Sequence, residues 1–120
     1  MGLDMWLLAR ECGHHRTEEV GYWRKANAVH GWLDRRLGGI GNCVRVEVSR
    51  KNLVALYSDC LSVLDAELTP DACLPTTHGF FFGSDEYGVE YSQHLRETVE
   101  ICVAALSLPD DCDFFYEAWW

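Results

Sequence analysis

The chain has 120 residues, of which 48% are hydrophobic and 24% charged, and its formal net charge is −9. This length suits one domain, spanning 1–120, that buries enough apolar surface to fold without disulfides or metal ions. The composition excludes a disordered chain. The negative charge argues against a nucleic-acid binder, because phosphate contacts need clustered Lys and Arg. No apolar run reaches the roughly 18 residues of a membrane span.

The charge is distributed unevenly along the chain. Residues 1–60 carry nine basic and seven acidic residues, whereas residues 61–120 carry twelve acidic residues and one basic residue, Arg96. Such asymmetry bears on partners and association, not on fold. The second half is therefore expected to offer an acidic surface to a basic partner.

The first residues do not have the pattern of a signal peptide, since no basic region precedes the apolar stretch and Asp4 interrupts it. A myristoylation motif fails because Trp6 stands where Ser or Thr is required. We therefore expect a cytoplasmic protein with no membrane attachment and no cofactor.

The six cysteines are expected to be reduced in that compartment. Cys12, His14 and His15 lie together and could form a zinc site with Cys43, but the paired cysteine spacing of such sites is missing. The alternative is a polar loop with an isolated cysteine, so no metal is predicted.

Hydrophobic periodicity predicts the elements of the first half of the chain. A short apolar strand is expected at 3–9, and a strictly alternating strand at 43–48. Between them, a first helix is expected over 20–37 because apolar residues recur there at helical spacing: Tyr22, Ala26, Val29, Leu33 and Leu37. Ser49 is a suitable cap for the helix that follows.

The second half is predicted to contain two longer helices and an aromatic strand. The helices are expected over about 50–67 and 86–107, and the strand at 113–120. A short strand at 79–83 is an alternative within the irregular segment that separates the helices.

The resulting order, β-α-β-α-(β)-α-β, favours an α+β fold. We expect a small mixed or antiparallel sheet of three to four strands, with three helices packed mainly on one face. The first and last strands are expected to be neighbours at the centre of the sheet.

The first candidate site lies on the predicted first helix. Helical spacing places Trp23, Asn27 and His30 on one face, and Arg24 falls in the first turn, where its charge opposes the helix dipole. This set suits a phosphate, a nucleotide or an acidic side chain. The alternative is a helix edge on which Asn27 and His30 are satisfied internally and Arg24 pairs with a glutamate at 18–19.

The second candidate site is the segment 78–87, with His78, Phe81, Ser84 and Tyr87 as its ligand-binding residues. Its glycines permit close backbone approach, and the start of the following helix offers free N–H groups to an anion. The lysine of a phosphate-binding loop is absent, so triphosphate hydrolysis is not supported. The alternative is a loop whose Phe side chains fill the core.

Signals for catalysis are weak. No Gly-x-Ser-x-Gly motif occurs, and no cysteine outside the Cys12 region has a histidine in a recognisable frame. An enzyme acting on a nucleotide or a modified side chain, with His30 or His78 as its acid–base residue, is the alternative to a binding protein.

Aromatic residues are concentrated in the last predicted strand: Phe114, Phe115, Tyr116, Trp119 and Trp120. They cannot all face one core, because successive strand residues point to opposite sides. Aromatic residues are favoured in interface cores, so a partner chain is the simplest cover for the second side. We therefore expect a homo-oligomer or a heteromeric complex; burial by the 69–85 loop is the alternative.

Four blocks of sequence are distinctive: Met-Gly-Leu-Asp-Met-Trp-Leu at 1–7, Val-Gly-Tyr-Trp-Arg-Lys-Ala-Asn-Ala-Val-His-Gly-Trp at 20–32, Leu-Pro-Thr-Thr-His-Gly-Phe-Phe-Phe-Gly-Ser at 74–84, and Asp-Phe-Phe-Tyr-Glu-Ala-Trp-Trp at 113–120. Together they resemble a family of small phage and prophage proteins of no settled activity. The resemblance implies a phage-encoded protein in a bacterial cytoplasm and carries over no catalytic residue. By analogy with other phage accessory proteins, it suggests a counter-defence protein that inhibits a host protein or sequesters a small anionic, nucleotide-like ligand.

Overall fold

The computed structural model describes residues 2–78 and 83–120. Within these residues the chain forms four strands and four helices. In chain order they are β1 (Asp4–Arg10), β2 (Glu18–Arg24), α1 (Asn27–Arg36), β3 (Arg45–Val48), α2 (Arg50–Leu64), α3 (Pro70–Cys73), α4 (Val89–Leu106) and β4 (Asp113–Trp119).

The strands form one antiparallel sheet in the spatial order β2-β1-β4-β3. The α+β class is therefore confirmed, as is the prediction that the first and last strands are neighbours at the centre. Every pairing in the sheet is antiparallel, which settles the choice between a mixed and an antiparallel sheet.

Residues 20–24 are a strand, so the prediction of a first helix over 20–37 is wrong in its first part. Gly21 and Trp23 are buried, whereas Tyr22 and Arg24 are exposed. This alternation has the two-residue period of a strand and not the helical period of about 3.6. Pairing with β1 prevails over the helical spacing because it buries the Trp23 indole and completes a hairpin.

Two local features separate β2 from α1. The backbone N–H of Lys25 donates to the carbonyl of Leu3 at 2.7 Å, and Lys25 has a φ of 57°, which interrupts any helix at this point. The helix begins at Asn27. Trp23 therefore does not share a helix face with Asn27, and Arg24 does not lie in a helical first turn.

The remaining elements agree with the sequence apart from their ends. The Ser49 side chain caps α2 by accepting from the N–H of Asn52 at 3.1 Å. The structure ends α2 at Leu64 and begins α4 at Val89, whereas the sequence predicts 67 and 86. The short helix α3 adds a fourth helix to the expected three. The candidate Phe81 lies outside the described residues, as does the alternative strand at 79–83 apart from Gly83, which is not in a strand.

The helices α1, α2 and α4 cover one side of the sheet. The sheet contributes these buried side chains to the core: Met5, Leu7, Ala9, Trp23, Phe114, Tyr116 and Ala118. Those of the helices include Val29, Leu53, Leu56 and Leu95. The intervening residues of β1 point to the other side and keep partial exposure. Across residues 2–78 and 83–120, no helix combines the length and apolar character that a membrane crossing requires.

Candidate functional site

Trp23, the aromatic residue of the first candidate site, belongs to the core. Its side chain is 1% exposed, and its indole N–H donates to the Thr98 hydroxyl on α4 at 2.8 Å. The ring also packs edge-to-face against Tyr116, with 6.4 Å between ring centroids. Trp23 therefore joins the sheet to α4 and offers no platform to a ligand.

His30 is also buried, with 4% of its surface exposed. Its Nδ1 shares a hydrogen bond of 2.7 Å with the Tyr116 hydroxyl, and its ring meets that of Trp120 at 5.2 Å between centroids. Burial lowers the pKa of His30 below its usual value, against a smaller opposing effect of Asp34. The imidazole is thus a neutral core group at neutral pH, out of reach of a substrate.

Asn27 connects the two candidate sites. Its Nδ2 donates to the carbonyl of Ser84 at 2.8 Å, and its Oδ1 accepts from the N–H of Thr77 at 3.0 Å. The structure therefore brings Asn27 and Ser84 together, but the amide is engaged with backbone groups on both sides of residues 79–82.

A small cavity lies beside Asn27 and Ser84. Its volume is about 10 Å³, and its lining also includes the carboxylates of Glu86 and Glu90. Ligand sites usually have volumes of roughly 300–1,000 Å³, whereas a volume near 10 Å³ holds about one water molecule. Both the size and the negative charge of this cavity disfavour an anionic nucleotide.

His78 and Tyr87 lie in the loops near this cavity. His78 Nδ1 is 3.3 Å from Asp85 Oδ2, at the surface. The Tyr87 hydroxyl accepts from the N–H of Thr76 at 3.2 Å. His78 is thus a surface residue and His30 a core residue, so the two alternative acid–base histidines lie in different surroundings.

The described residues contain no group of three or more His, Cys, Asp or Glu side chains that could hold a metal ion. All six cysteines are free thiols, with Cys12 and Cys43 exposed.

Arg24, the last of the candidates, lies on the side of the sheet opposite the helices. We call this side the outer face. It is formed by the outward-pointing residues of the four strands: Asp4, Trp6, Leu8, Arg10, Glu19, Tyr22, Arg24, Arg45, Glu47, Asp113, Phe115, Glu117 and Trp119. Sequence reasoning missed this surface because it assigned Tyr22 and Arg24 to a helix.

Three aromatic rings form a cluster on the outer face. Trp6 lies between Tyr22 and Trp119, with centroid distances of 5.7 Å and 5.5 Å. Tyr22 is 42% exposed and Trp119 is 50% exposed, so both are available to a partner. A shallow groove of about 360 Å³ runs beside Trp6 and Trp119 and is also lined by Leu8, Thr17, Glu19, Arg45 and Glu117.

Hydrogen bonds hold the two exposed rings in place. The Trp119 indole N–H donates to Glu117 Oε2 at 2.7 Å, and the Tyr22 hydroxyl donates to Asp4 Oδ1. The Tyr22 hydrogen bond and the Arg24 guanidinium together hold the pKa of Asp4 below its usual value. The aromatic cluster is thus ordered before any partner binds.

Each arginine of the outer face is paired with a carboxylate. The pairs are Arg24–Asp4 at 2.6 Å, Arg45–Glu117 at 3.1 Å and Arg10–Asp113 at 3.3 Å. Glu19 and Glu47 are exposed and form no ion pair with the part of the chain that the structure describes. The net charge of the outer face is therefore negative and arises from these two side chains.

Comparisons with protein-family models, with curated proteins and with solved structures found no match to this chain. The side chains of the outer face are therefore the basis on which its function is inferred.

Proposed function

We propose that this protein is a non-enzymatic binding domain that docks a partner protein on the outer face of its sheet. The observation that carries the proposal is the exposed cluster of Trp6, Tyr22 and Trp119 on the side away from the helices. Contiguous exposed apolar surface marks interaction sites on soluble domains, and Trp and Tyr are enriched among the residues that dominate binding energy.

The surroundings of the cluster resemble the rim of an interface. The ion pairs Arg24–Asp4 and Arg45–Glu117 lie beside the aromatic cluster, and Arg10–Asp113 lies further along the same face at the other end of β1. Protein interfaces commonly combine an aromatic centre with a polar rim. The hydrogen bonds of Trp119 and Tyr22 fix their rings in advance, which reduces the entropy lost on binding.

The resemblance of four sequence blocks to phage proteins favours a bacterial host protein as the partner. Inhibition of that protein in the host cytoplasm is the function that we propose. Sequestration of a small anion and catalysis through His30 or His78 are less well supported. The cavity beside Asn27 has room for about one water molecule, which is too small for a nucleotide. His30 is buried in the core, where it is hydrogen-bonded to Tyr116.

Peptide selection tests this proposal and needs no identified partner. The probe is a library of random peptides about 12 residues long, which in extended form exceeds the width of a four-stranded sheet. Peptides selected on the wild-type protein are titrated calorimetrically against the wild type, Trp119→Ala and the control Leu68→Ala. Leu68 is 47% exposed and does not belong to the outer face, so its loss removes similar apolar exposure elsewhere.

We expect Trp119→Ala to weaken peptide binding about tenfold or more and Leu68→Ala to leave it within about twofold. Selected peptides that bind the wild type and Trp119→Ala equally well would contradict the proposal. Circular dichroism of both variants checks that the fold is retained.

A further inference from the structure

We infer that the outer face binds a basic, extended segment whose two cationic side chains flank an apolar one, in the pattern cation-x-apolar-x-cation. This inference rests on the proposed function, because it specifies the occupant of the same surface. It is carried by the placement of Glu19 and Glu47 relative to Leu8 and Phe115.

The strand register places four side chains in one row across the whole sheet. Glu19 lies opposite Leu8, Leu8 lies opposite Phe115, and Phe115 lies opposite Glu47. A β-bulge between Leu7 and Leu8 shifts the register of β2 so that Glu19 completes the row. Neighbouring strands are about 4.8 Å apart, so the backbone positions of Glu19 and Glu47 are about 14 Å apart with two apolar residues between them.

The charges of Glu19 and Glu47 are available to a partner. The arginines of the outer face are already engaged with Asp4, Asp113 and Glu117. A partner with a Lys or Arg at each end of the row gains charge-assisted hydrogen bonds. A neutral or acidic partner instead leaves both carboxylates close to an interface with no compensating charge, which is unfavourable.

The spacing of the row matches an extended partner segment. Residues i and i+4 of a strand lie about 13–14 Å apart on the same side, with residue i+2 midway between them. Cations at i and i+4 therefore reach Glu19 and Glu47 while the residue at i+2 contacts Leu8 and the edge of Phe115, because the Arg10 guanidinium lies over the Phe115 ring, 5.0 Å from its centroid. Such a segment crosses the strands nearly at right angles, an arrangement known for packed sheets. Trp6 and Trp119 line the same groove as Leu8 and Glu19, so the cation at the Glu19 end of the row gains favourable contacts with their rings.

A second copy of this chain is the other occupant that the sequence predicts. Two outer faces in contact would bring together the Glu19 and Glu47 carboxylates of both copies, and each chain carries a net charge of −9. Like charges oppose such an association. The charge of the outer face therefore favours a basic partner over a second copy.

The test uses the same random peptide library with variants of the two carboxylates. Peptides selected on the wild type are titrated against Glu19→Gln, Glu47→Gln, the double variant and the control Glu18→Gln. Glu18 is an exposed carboxylate of the same strand that lies opposite Ala9, whose side chain points to the helices. The control thus removes an equal charge from the other side of the sheet.

We expect the selected peptides to be enriched in the cation-x-apolar-x-cation pattern. The double variant should weaken binding about tenfold, each single variant about threefold, and Glu18→Gln less than twofold. The dependence of affinity on salt concentration should also be smaller for the double variant.

The outcomes separate this inference from the proposed function. Peptides that need Trp119 but lack paired cations, or that bind the double variant unchanged, overturn the basic segment and leave the docking face in place. An absence of selected peptides, or peptides independent of Trp119, overturns both. Sedimentation of the wild type as a dimer that Trp119→Ala converts to a monomer would make a second copy the occupant instead.

Discussion

The imidazole of His30 and the hydroxyl of Tyr116 share a hydrogen bond of 2.7 Å beneath the sheet. Both groups are buried, and burial lowers the pKa of His30 while it raises the pKa of Tyr116. The pair connects α1 to the central strand β4. This contact is structural, whereas the sequence predicts an acid–base role for His30. The buried imidazole makes the stability of the protein depend on pH.

Protein stability should fall as the pH is lowered through the range in which His30 titrates. The pKa of His30 is lower in the folded state than its unfolded value of 6.5, so the unfolded state binds more protons between these two values. The stabilising contribution is therefore present above about pH 6.5 and is lost as the pH falls below it. Urea unfolding at a series of pH values measures this, and the slope should be shallower in His30→Gln. Identical slopes in the two proteins would contradict the account.

Arg50 should stabilise the end of α4. Its guanidinium donates to the carbonyls of Leu106 at 3.4 Å and Leu108 at 2.9 Å, and it also donates to Pro109. Arg50→Met removes these charge-assisted hydrogen bonds, so we expect a loss of about 2–3 kcal/mol in the free energy of unfolding. The neighbouring exposed Lys51 provides the control, and Lys51→Met should change the free energy of unfolding by less than about 0.5 kcal/mol. Equal effects of the two substitutions in denaturant titrations would show that the hydrogen bonds of Arg50 do not stabilise the end of α4.

Gly21 should be required for the packing of β2 on α4. A Cβ at this position would lie 2.4 Å from Cγ2 of Ile101, a β-branched side chain with little freedom to move. We expect Gly21→Ala to cost about 1–3 kcal/mol, and Gly21→Ala combined with Ile101→Ala to cost less than the sum of the two single substitutions. Gly88→Ala is the control, because no atom lies within 4 Å of the added Cβ; Gly88 is the N-cap of α4, so its cost should stay below about 1 kcal/mol and should add to that of Ile101→Ala. If thermal unfolding shows that the costs of Gly21→Ala and Ile101→Ala are additive, Gly21 of β2 does not pack against Ile101 of α4.

Local patterns were sufficient to predict most of the elements. The strand at 43–48 alternates strictly, and Ser49 is followed by apolar residues at helical spacing, so β3 and α2 are recognisable within a few residues. β2 was missed because Tyr22, Ala26 and Val29 coincide with helical spacing, although only Val29 lies in α1. The pairing of β2 with β1 depends on residues distant along the chain, which local periodicity does not contain.

The candidate site also depends on contacts between residues that are distant along the chain. The prediction that aromatic residues of the last strand must face two sides is confirmed, since Tyr116 is buried and Trp119 is 50% exposed on the other side. The sequence did not place Glu19 and Glu47 in one row. That row requires the register of all four strands and the bulge beside Leu8, which arise only when the whole sheet is assembled.

Occupation of the outer face by a partner can be followed through the indole N–H chemical shifts of the tryptophans. A selected peptide is added to the labelled wild-type protein, and the resonances are followed by NMR. We predict that the signals of Trp6 and Trp119 shift with peptide concentration. Those of Trp23 and Trp32, whose indole N–H groups are bonded to Thr98 and Asp59 on the helical side, should remain in place. Shifts of Trp23 and Trp32 with no change at Trp6 and Trp119 would contradict the account.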